Sequence, residues 1–269
     1  MENLCICTFK EISSQFVVRN MERLTSYLKI AWDIMANEYY LEVHKTSRNF
    51  DAVIHNYLPK IIPRLHSGGL YLDLGGGRGR LKELYTDTSF NIVVGDISLA
   101  MMKTRINSPT SAGYIQMDAF RIPFKGNTFD GIFSLLGDPY SLPGAFKEVL
   151  RILKSGGFFF IALPTKIWAE NLRPLLGVEM NQTVFKTRNG RPLKIPSFLY
   201  DSKDLQEILS DIGFGQVKTG DWRPLNVISK DEFSRDVLIP AKNLDIQPED
   251  LPLITYALAH KIDENKGES

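Results

Sequence analysis

The chain has 269 residues, 43% of them hydrophobic and 23% charged, which excludes disordered, collagen-like and coiled-coil chains and supplies enough apolar residues for one large core. Its 32 Lys and Arg are balanced by 31 Asp and Glu, so no global field draws it to nucleic acid or to an anionic membrane. Two cysteines, Cys5 and Cys7, make neither a disulfide framework nor a zinc site by themselves.

The opening stretch lacks the basic leader and the apolar core of about 7–15 residues that a secretory signal requires, so a cytoplasmic location is expected. The longest purely apolar run, Phe158 to Leu163, falls well short of the about 20 residues of a spanning helix, and a soluble chain without a membrane partner follows. Met21, Leu24, Leu28, Ala31, Trp32 and Met35 recur at helical spacing, as do Phe50, Ile54, Leu58 and Ile61, up to Pro63 and Gly68-Gly69. From Leu70 short apolar runs read as buried strands: Leu70 to Leu74, Ile92 to Gly95, Tyr114 to Met117, Gly131 to Leu136 and Phe158 to Leu163.

Between them lie helix-sized segments. One spans Ala145 to Leu153, with Lys154-Ser155-Gly156-Gly157 as its expected stop, and another starts near Ser202 and ends before Gly213. Two late strands are expected at about Gln216 to Trp222 and Leu253 to Lys261. Strand–helix alternation of this kind predicts an α/β fold, a parallel sheet wound on both faces.

The chemistry is concentrated in Asp73-Leu74-Gly75-Gly76-Gly77-Arg78-Gly79-Arg80, a strand running into a glycine-rich turn and a helix. Glycines at 75, 77 and 79 permit positive φ and close backbone approach, and the following helix should present unpaired N–H groups. The dinucleotide fingerprint needs glycine where Arg80 stands, which disfavours a dinucleotide. A tight loop binding nothing would look similar. The second strand, however, ends in Asp96, placed to accept both hydroxyls of a ribose, and the third ends in Asp118, placed to meet an adenine amino group.

With these residues on the page, the sequence resembles the class I S-adenosylmethionine-dependent methyltransferases, particularly the branch with the ubiquinone and menaquinone biosynthesis enzymes. The matching blocks are the glycine turn, Gly95-Asp96-Ile97-Ser98 with Met101-Met102, Asp118-Ala119, Ile122-Pro123-Phe124, Thr128-Phe129-Asp130-Gly131-Ile132 and Phe146 to Gly157. The resemblance implies a Rossmann-like, doubly wound seven-stranded sheet with the last strand antiparallel, under a helical N-terminal lid and cap insertions. It divides the chain into a lid, 1–64, and a core, 65–269, with insertions at about 165–200 and 226–250.

It further implies S-adenosylmethionine as cofactor and S-adenosylhomocysteine as product. Asp73, Gly75, Gly76, Gly77 and Gly79 would hold the methionine moiety and Asp96 the ribose, and Ile97 and Met101 are further cofactor-binding candidates. Asp118, Ala119 and Phe120 would meet the adenine, and Leu135 and Leu136 would flank the cofactor. Tyr39, or Tyr40 in its place, would reach from the lid to the methionyl end.

Asp138-Pro139-Tyr140 resembles the Asn/Asp-Pro-Pro-Tyr motif of enzymes methylating exocyclic or amide nitrogens, but it lacks one proline and is read as a turn. Chemistry through a cysteine nucleophile or a metal is not expected, since Cys5 and Cys7 are far from any strand end and only Asp138 lies at the fourth strand's edge. His44 is the candidate general base, with Tyr39 as a second catalytic candidate. The insertion 165–200 reads as carrying a hairpin turning at Asn189-Gly190. Trp168, Phe185, Phe198, Tyr200 and Phe233 are candidate walls of an acceptor pocket, and Lys186, Arg188, Arg191 and Lys194 form a local basic cluster.

The expected function is transfer of a methyl group to nitrogen or oxygen of a small molecule by in-line displacement, with no nucleic-acid partner. An RNA or protein methyltransferase, and a subunit that binds the cofactor without catalysis, are the alternatives.

Overall fold

The computed structural model describes residues 14–39, 41, 44–103 and 113–262. Cys5, Cys7 and Tyr40 lie outside the described residues. In chain order the elements are α1 (Ser14–Met35), α2 (Lys45–Ile61), β1 (Leu70–Leu74), α3 (Leu81–Leu84), β2 (Asn91–Asp96), α4 (Leu99–Lys103), β3 (Gly113–Gln116) and β4 (Phe129–Leu135). There follow α5 (Pro143–Ile152), β5 (Leu153–Pro164), α6 (Lys166–Leu172), β6 (Gln182–Lys186), β7 (Pro192–Pro196), α7 (Ser202–Ile212), β8 (Phe214–Trp222), α8 (Arg235–Asn243) and β9 (Ile254–Lys261). None of the described helices is long and apolar enough to cross a membrane.

Seven strands form one sheet in the order β3-β2-β1-β4-β5-β9-β8. The pairs from β3 to β5 are parallel, and β9 runs antiparallel to both β5 and β8. The chain winds outward through β1, β2 and β3, then crosses to the other side of β1 to lay down β4. The crevice at such a reversal, beyond the carboxyl ends of the strands, is where open sheets bind ligands.

Both sheet faces are covered by helices, as the continuous apolar strands require. On one face Phe50, Val53, Ile54 and Leu58 of α2, Trp168 of α6 and Val237 of α8 share a core with Tyr71, Phe133 and Phe160. On the other, Phe146 and Val149 of α5 and Leu205 and Leu209 of α7 pack with Leu72, Ile132 and Phe159. Leu28, Ala31 and Met35 of α1 belong to a third, separate cluster with Ile195 of β7. A division at residue 64 therefore joins a core helix, α2, to a cover helix, α1.

The helix α7 starts where the Asp201 side chain accepts the Asp204 N–H and stops at Gly213, with φ of 111° in the left-handed region. Ending α5 takes a different device. The expected stop, Lys154 to Gly157, is not a helix cap: the chain turns extended at Leu153 and these residues already belong to β5. Phe129 pairs with Leu153 while Gly131 pairs with Phe158, so the four residues between are an irregularity within the strand. Pairing with β4 and the Lys154–Asp130 ion pair at 2.8 Å outweigh the glycine signal.

A β-carbon on Gly157 would approach the carbonyl oxygens of Lys154 at 2.9 Å and Asp130 at 3.0 Å, both backbone atoms that cannot swing away. Gly157→Ala is expected to destabilise the fold by about 1–3 kcal/mol through this overpacking. Urea unfolding checks it, and an unchanged midpoint would show the irregularity to be soft.

Candidate functional site

At the carboxyl ends of β1 to β4 a cleft is lined by Asp73, Gly75, Gly76, Gly77, Asp96, Ile97, Met101, Asp118, Ala119, Phe120, Leu135, Leu136 and Tyr39. All of these are residues the sequence singles out. Also lining it are Thr25, Leu28 and Trp32 from α1, Leu74, Arg80, Gly95 and Met117, and Pro139 with Tyr140.

The turn after β1 has positive φ at Gly75, Gly77 and Gly79. The Gly75 and Gly76 N–H groups donate to the Gly95 carbonyl at 2.7 and 3.2 Å, and the Gly77 N–H donates to Asp96 Oδ2 at 2.9 Å. A β-carbon on Gly75 would collide with the Tyr140 ring, so the turn and that ring are in contact only because Gly75 lacks one. Gly79 does not line the cleft; the space beside it is filled by Tyr114 and Val94, and its role is packing.

The helix expected after the turn is a single turn, α3, and its first amide is already occupied: the Leu81 N–H donates to Asp73 Oδ2 at 3.2 Å. An open helix end is thus replaced by a buried carboxylate. Asp73 is 1% exposed, its Oδ1 is buried without a hydrogen-bond partner, and burial pushes its pKa up to about 7, against the opposing pull of the Leu81 amide and Arg80. Asp96 is likewise raised by burial to about 6, while amides of Ser98 and Gly77 favour its charged form. Asp118 accepts from the Phe120 N–H at 2.9 Å and from Thr25 Oγ1 on α1 at 3.0 Å.

Arg80 contributes the cleft's positive charge. It is 7% exposed and ion-paired to Asp51 of α2, and the Tyr39 hydroxyl hydrogen-bonds the side chains of Arg80 and Ser47. Burial raises the pKa of Tyr39 and keeps its phenol protonated. Tyr140, whose pKa is also raised by burial, donates to the Leu74 carbonyl at 2.6 Å. The sequence shows Arg80 only as a broken fingerprint and Asp138-Pro139-Tyr140 only as a turn. The signal that could have found them is position: both follow directly from strands that end at the cleft.

His44 is not brought to the cleft. It precedes the first turn of α2, its ring centroid 5.6 Å from that of Phe185, and burial lowers its pKa, leaving the imidazole neutral. The expected aromatic walls are also elsewhere. Trp168 packs edge-on against Phe50 and donates through Nε1 to the Asp236 carbonyl, Phe233 shares that core, and Tyr200 packs on the other face and donates to the Ser141 carbonyl. Phe198 is half-buried and its N–H donates to the Asp138 carbonyl. Phe185, on the β6–β7 hairpin, contacts the cleft's Trp32 and Tyr39, each with ring centroids 5.8 Å away. The hairpin turns at Asn189-Gly190, where Gly190 has φ of 75°.

A carboxyl whose pKa is higher folded than unfolded destabilises the fold once pH exceeds the unfolded value, and the penalty grows until pH passes the folded one. Asp73→Asn should therefore stabilise the ligand-free protein at pH 8, with the gain shrinking as pH falls through about 7 and vanishing near the unfolded value of about 4. Urea unfolding at pH 5 and 8 measures it; a gain independent of pH would mean that Asp73 is not the buried charge.

Residues 72–161 match the methyltransferase domain family. An uncharacterised protein of Methanocaldococcus jannaschii is 27% identical over 201 residues, 68% of this chain and 77% of that protein. A demethylmenaquinone methyltransferase of Paenarthrobacter aurescens is 34% identical over 97 residues, 35% of this chain and 38% of the enzyme, so the chain spans well under half of that relative. In fold, the chain is similar to one from the Haloferax volcanii complex of the Trm112 methyltransferase activator and a methyltransferase, with TM-score 0.62, 16% identity, and 86% and 98% of the two chains covered. It is also similar to a phosphoethanolamine N-methyltransferase of Haemonchus contortus in complex with phosphomonomethylethanolamine and S-adenosylhomocysteine, with TM-score 0.57, 16% identity, and 87% and 60% covered.

Proposed function

We propose that this chain, which carries a class I S-adenosylmethionine-dependent methyltransferase domain, methylates a nitrogen or oxygen atom of a small molecule. The observation that carries the reading is the lining of the cleft. Its β4 end is walled by Leu135, Leu136, Pro139 and Tyr140, a mainly apolar set, and Trp32 and Tyr39 also line the cleft.

The cleft's donor set fits the cofactor. Asp73 Oδ1, buried and unpartnered, suits an ammonium group, and Gly75, Gly76 and Gly77 line the cleft beside it. Asp96 would take the ribose hydroxyls and Asp118 to Phe120 the adenine, with Ile97 and Met101 against the ring system and Leu135 and Leu136 beside the reacting end. When bound, the cofactor supplies a methyl group on a sulfonium, already activated for displacement.

The chain's own residues then orient and exclude water. No carboxylate lines the β4 end: the Asp138 carboxyl instead meets Ser197 and lies near Arg173. Tyr39 and Tyr140 are phenols kept protonated by burial, able to donate but not to accept a proton. With His44 outside the cleft, an acceptor that loses its proton to solvent after transfer, as an amine does, suits this site better than a phenol. A macromolecular acceptor is the competing reading, motivated by the likeness to the Trm112-associated chain.

Calorimetry with S-adenosylhomocysteine tests the cofactor site. Asp96→Ala should weaken binding by about 1.5–3 kcal/mol through lost charge-assisted hydrogen bonds. No heat from the wild type would overturn the reading. Labelled-methyl transfer to pooled small amines and phenols, against RNA and protein, separates the acceptors, and label found only in RNA or protein would sink the small-molecule assignment.

The cover must open for exchange. Backbone amides of 21–35 should exchange fast in the free protein and slowly with S-adenosylhomocysteine, while β1, β4 and β5 stay protected in both states. Hydrogen-exchange mass spectrometry reads this; protection of α1 that is the same with and without ligand would make it fixed scaffold.

A further inference from the structure

We propose that Arg80 recognises the carboxylate of the cofactor's amino-acid end, and that Asp51 and Tyr39 position its guanidinium for that contact. The inference rests on the cofactor reading above and goes beyond it, because the glycine turn and the strand-end carboxylates account for the ammonium, ribose and adenine but leave the ligand's one negative charge unplaced.

The charge inventory carries it. Among the described residues lining the cleft, three are carboxylates, Asp73, Asp96 and Asp118, and Arg80 is the sole cation. An amino-acid end bears an ammonium and a carboxylate on one carbon. Its anionic half, set among three carboxylates of which Asp73 and Asp96 are buried, is repelled unless a cation sits beside the group that takes the ammonium. Arg80 meets that condition, since its charge acts on Asp73 itself and opposes the burial that raises the Asp73 pKa.

Location agrees. Arg80 follows directly on the glycine turn and lines the cleft at the β1 end, whereas Asp96 and Asp118 stand at the ends of β2 and β3, about 5 and 10 Å further across the sheet at ordinary strand spacing. A ligand with its nucleoside over β2 and β3 therefore ends its amino-acid tail at Asp73 and Arg80. The guanidinium is also preorganised. Asp51 anchors it from α2, a helix packed into the core, and Tyr39 reaches it from the cover. A planar fork held on one side matches a carboxylate on the other, which lysine does not reproduce.

A purely structural ion pair between Arg80 and Asp51 would look the same without ligand, so the test asks for discrimination by the ligand's carboxylate. The probes are S-adenosylhomocysteine and its decarboxylated analogue S-adenosyl-3-thiopropylamine, which keeps the ammonium, thioether and nucleoside. Calorimetry on the full chain should show the wild type binding the first at least about 30-fold more tightly, and Arg80→Gln reducing that ratio below about 3-fold by weakening S-adenosylhomocysteine alone.

If Arg80→Gln fails to fold with the Asp51 charge unpaired, the double variant R80Q/D51N removes both charges and should give the same collapsed ratio. The wild-type ratio needs no variant. Equal binding of the two ligands by the wild type, or an undiminished ratio in the variants, overturns the assignment of Arg80. In either case the cofactor reading survives if S-adenosylhomocysteine still binds with Asp96 dependence. A wild type that binds neither ligand overturns both.

Discussion

Two carboxylates buried at neighbouring strand ends constrain the rest of the site. In the parallel pairing of β1 with β2, Leu74 stands opposite Gly95, which brings Asp73 and Asp96 to the same edge. The turn between them is then tied to β2 by two amides on the Gly95 carbonyl and one on Asp96. The end of the Met117 side chain fills the space beside Gly95 where a β-carbon would stand. Both aspartates carry raised pKa values because burial penalises their charge, and that unrelieved cost favours a ligand presenting positive charge and hydroxyl donors over a polyphosphate. Arg80 offsets part of it and fixes which end of the cleft tolerates an anion.

The attachment of the two N-terminal helices differs in kind. The helix α2 enters the core through fully buried Val53, Ile54 and Leu58, and no cleft opening can displace it without unfolding that core. By contrast α1 meets the core through polar contacts at the rim, Thr25 to Asp118 at 3.0 Å and Ser98 to Asp33 at 2.6 Å, while just past its end Glu38 accepts the Arg188 amide of the hairpin at 2.8 Å. Water can replace each of these at modest cost. Its apolar cluster is shared with the β6–β7 hairpin, so the cover and the hairpin are one packed unit. Tyr39 reaches from this cover to Arg80, which makes the guanidinium the point where cover and cleft meet.

The sheet was readable because its strands are short apolar runs buried on both faces, and the aspartates were readable because Asp96 and Asp118 directly follow the second and third runs and Asp73 stands one residue before the end of the first. Strand limits shifted by a few residues at most, except at β5. There the sequence shows a glycine pair after a helix, and the pairing demand of β4, which belongs to a segment more than twenty residues earlier, decides otherwise. Long-range contacts also explain the misplaced aromatics. Trp168 and Phe233 look like cap residues from their position in insertions, yet α6 and α8 fold down onto α2 and bury both rings in the core. Arg80 was visible but had no sequence partner, because Asp51 is 29 residues away on another helix.

The same logic explains how the acceptor end acquires its shape. Arg173 is buried and donates to Ser197 Oγ at 2.8 Å and Thr183 Oγ1 at 3.1 Å, which fastens the chain after α6 to both strands of the hairpin region. Asp138 joins the group through Ser197, and its carbonyl accepts the Phe198 N–H at 2.9 Å, so the segment following β4 is tied to the insertion on both its side chain and its backbone. Pro139 and Tyr140, the next two residues, are thereby set into the cleft wall. Asp138 is thus spent on architecture: its carboxyl is occupied away from the cleft, and the nitrogen-recognition role that the resemblance of Asp138-Pro139-Tyr140 suggests cannot pass to it without breaking the clamp that holds Tyr140 against the glycine turn.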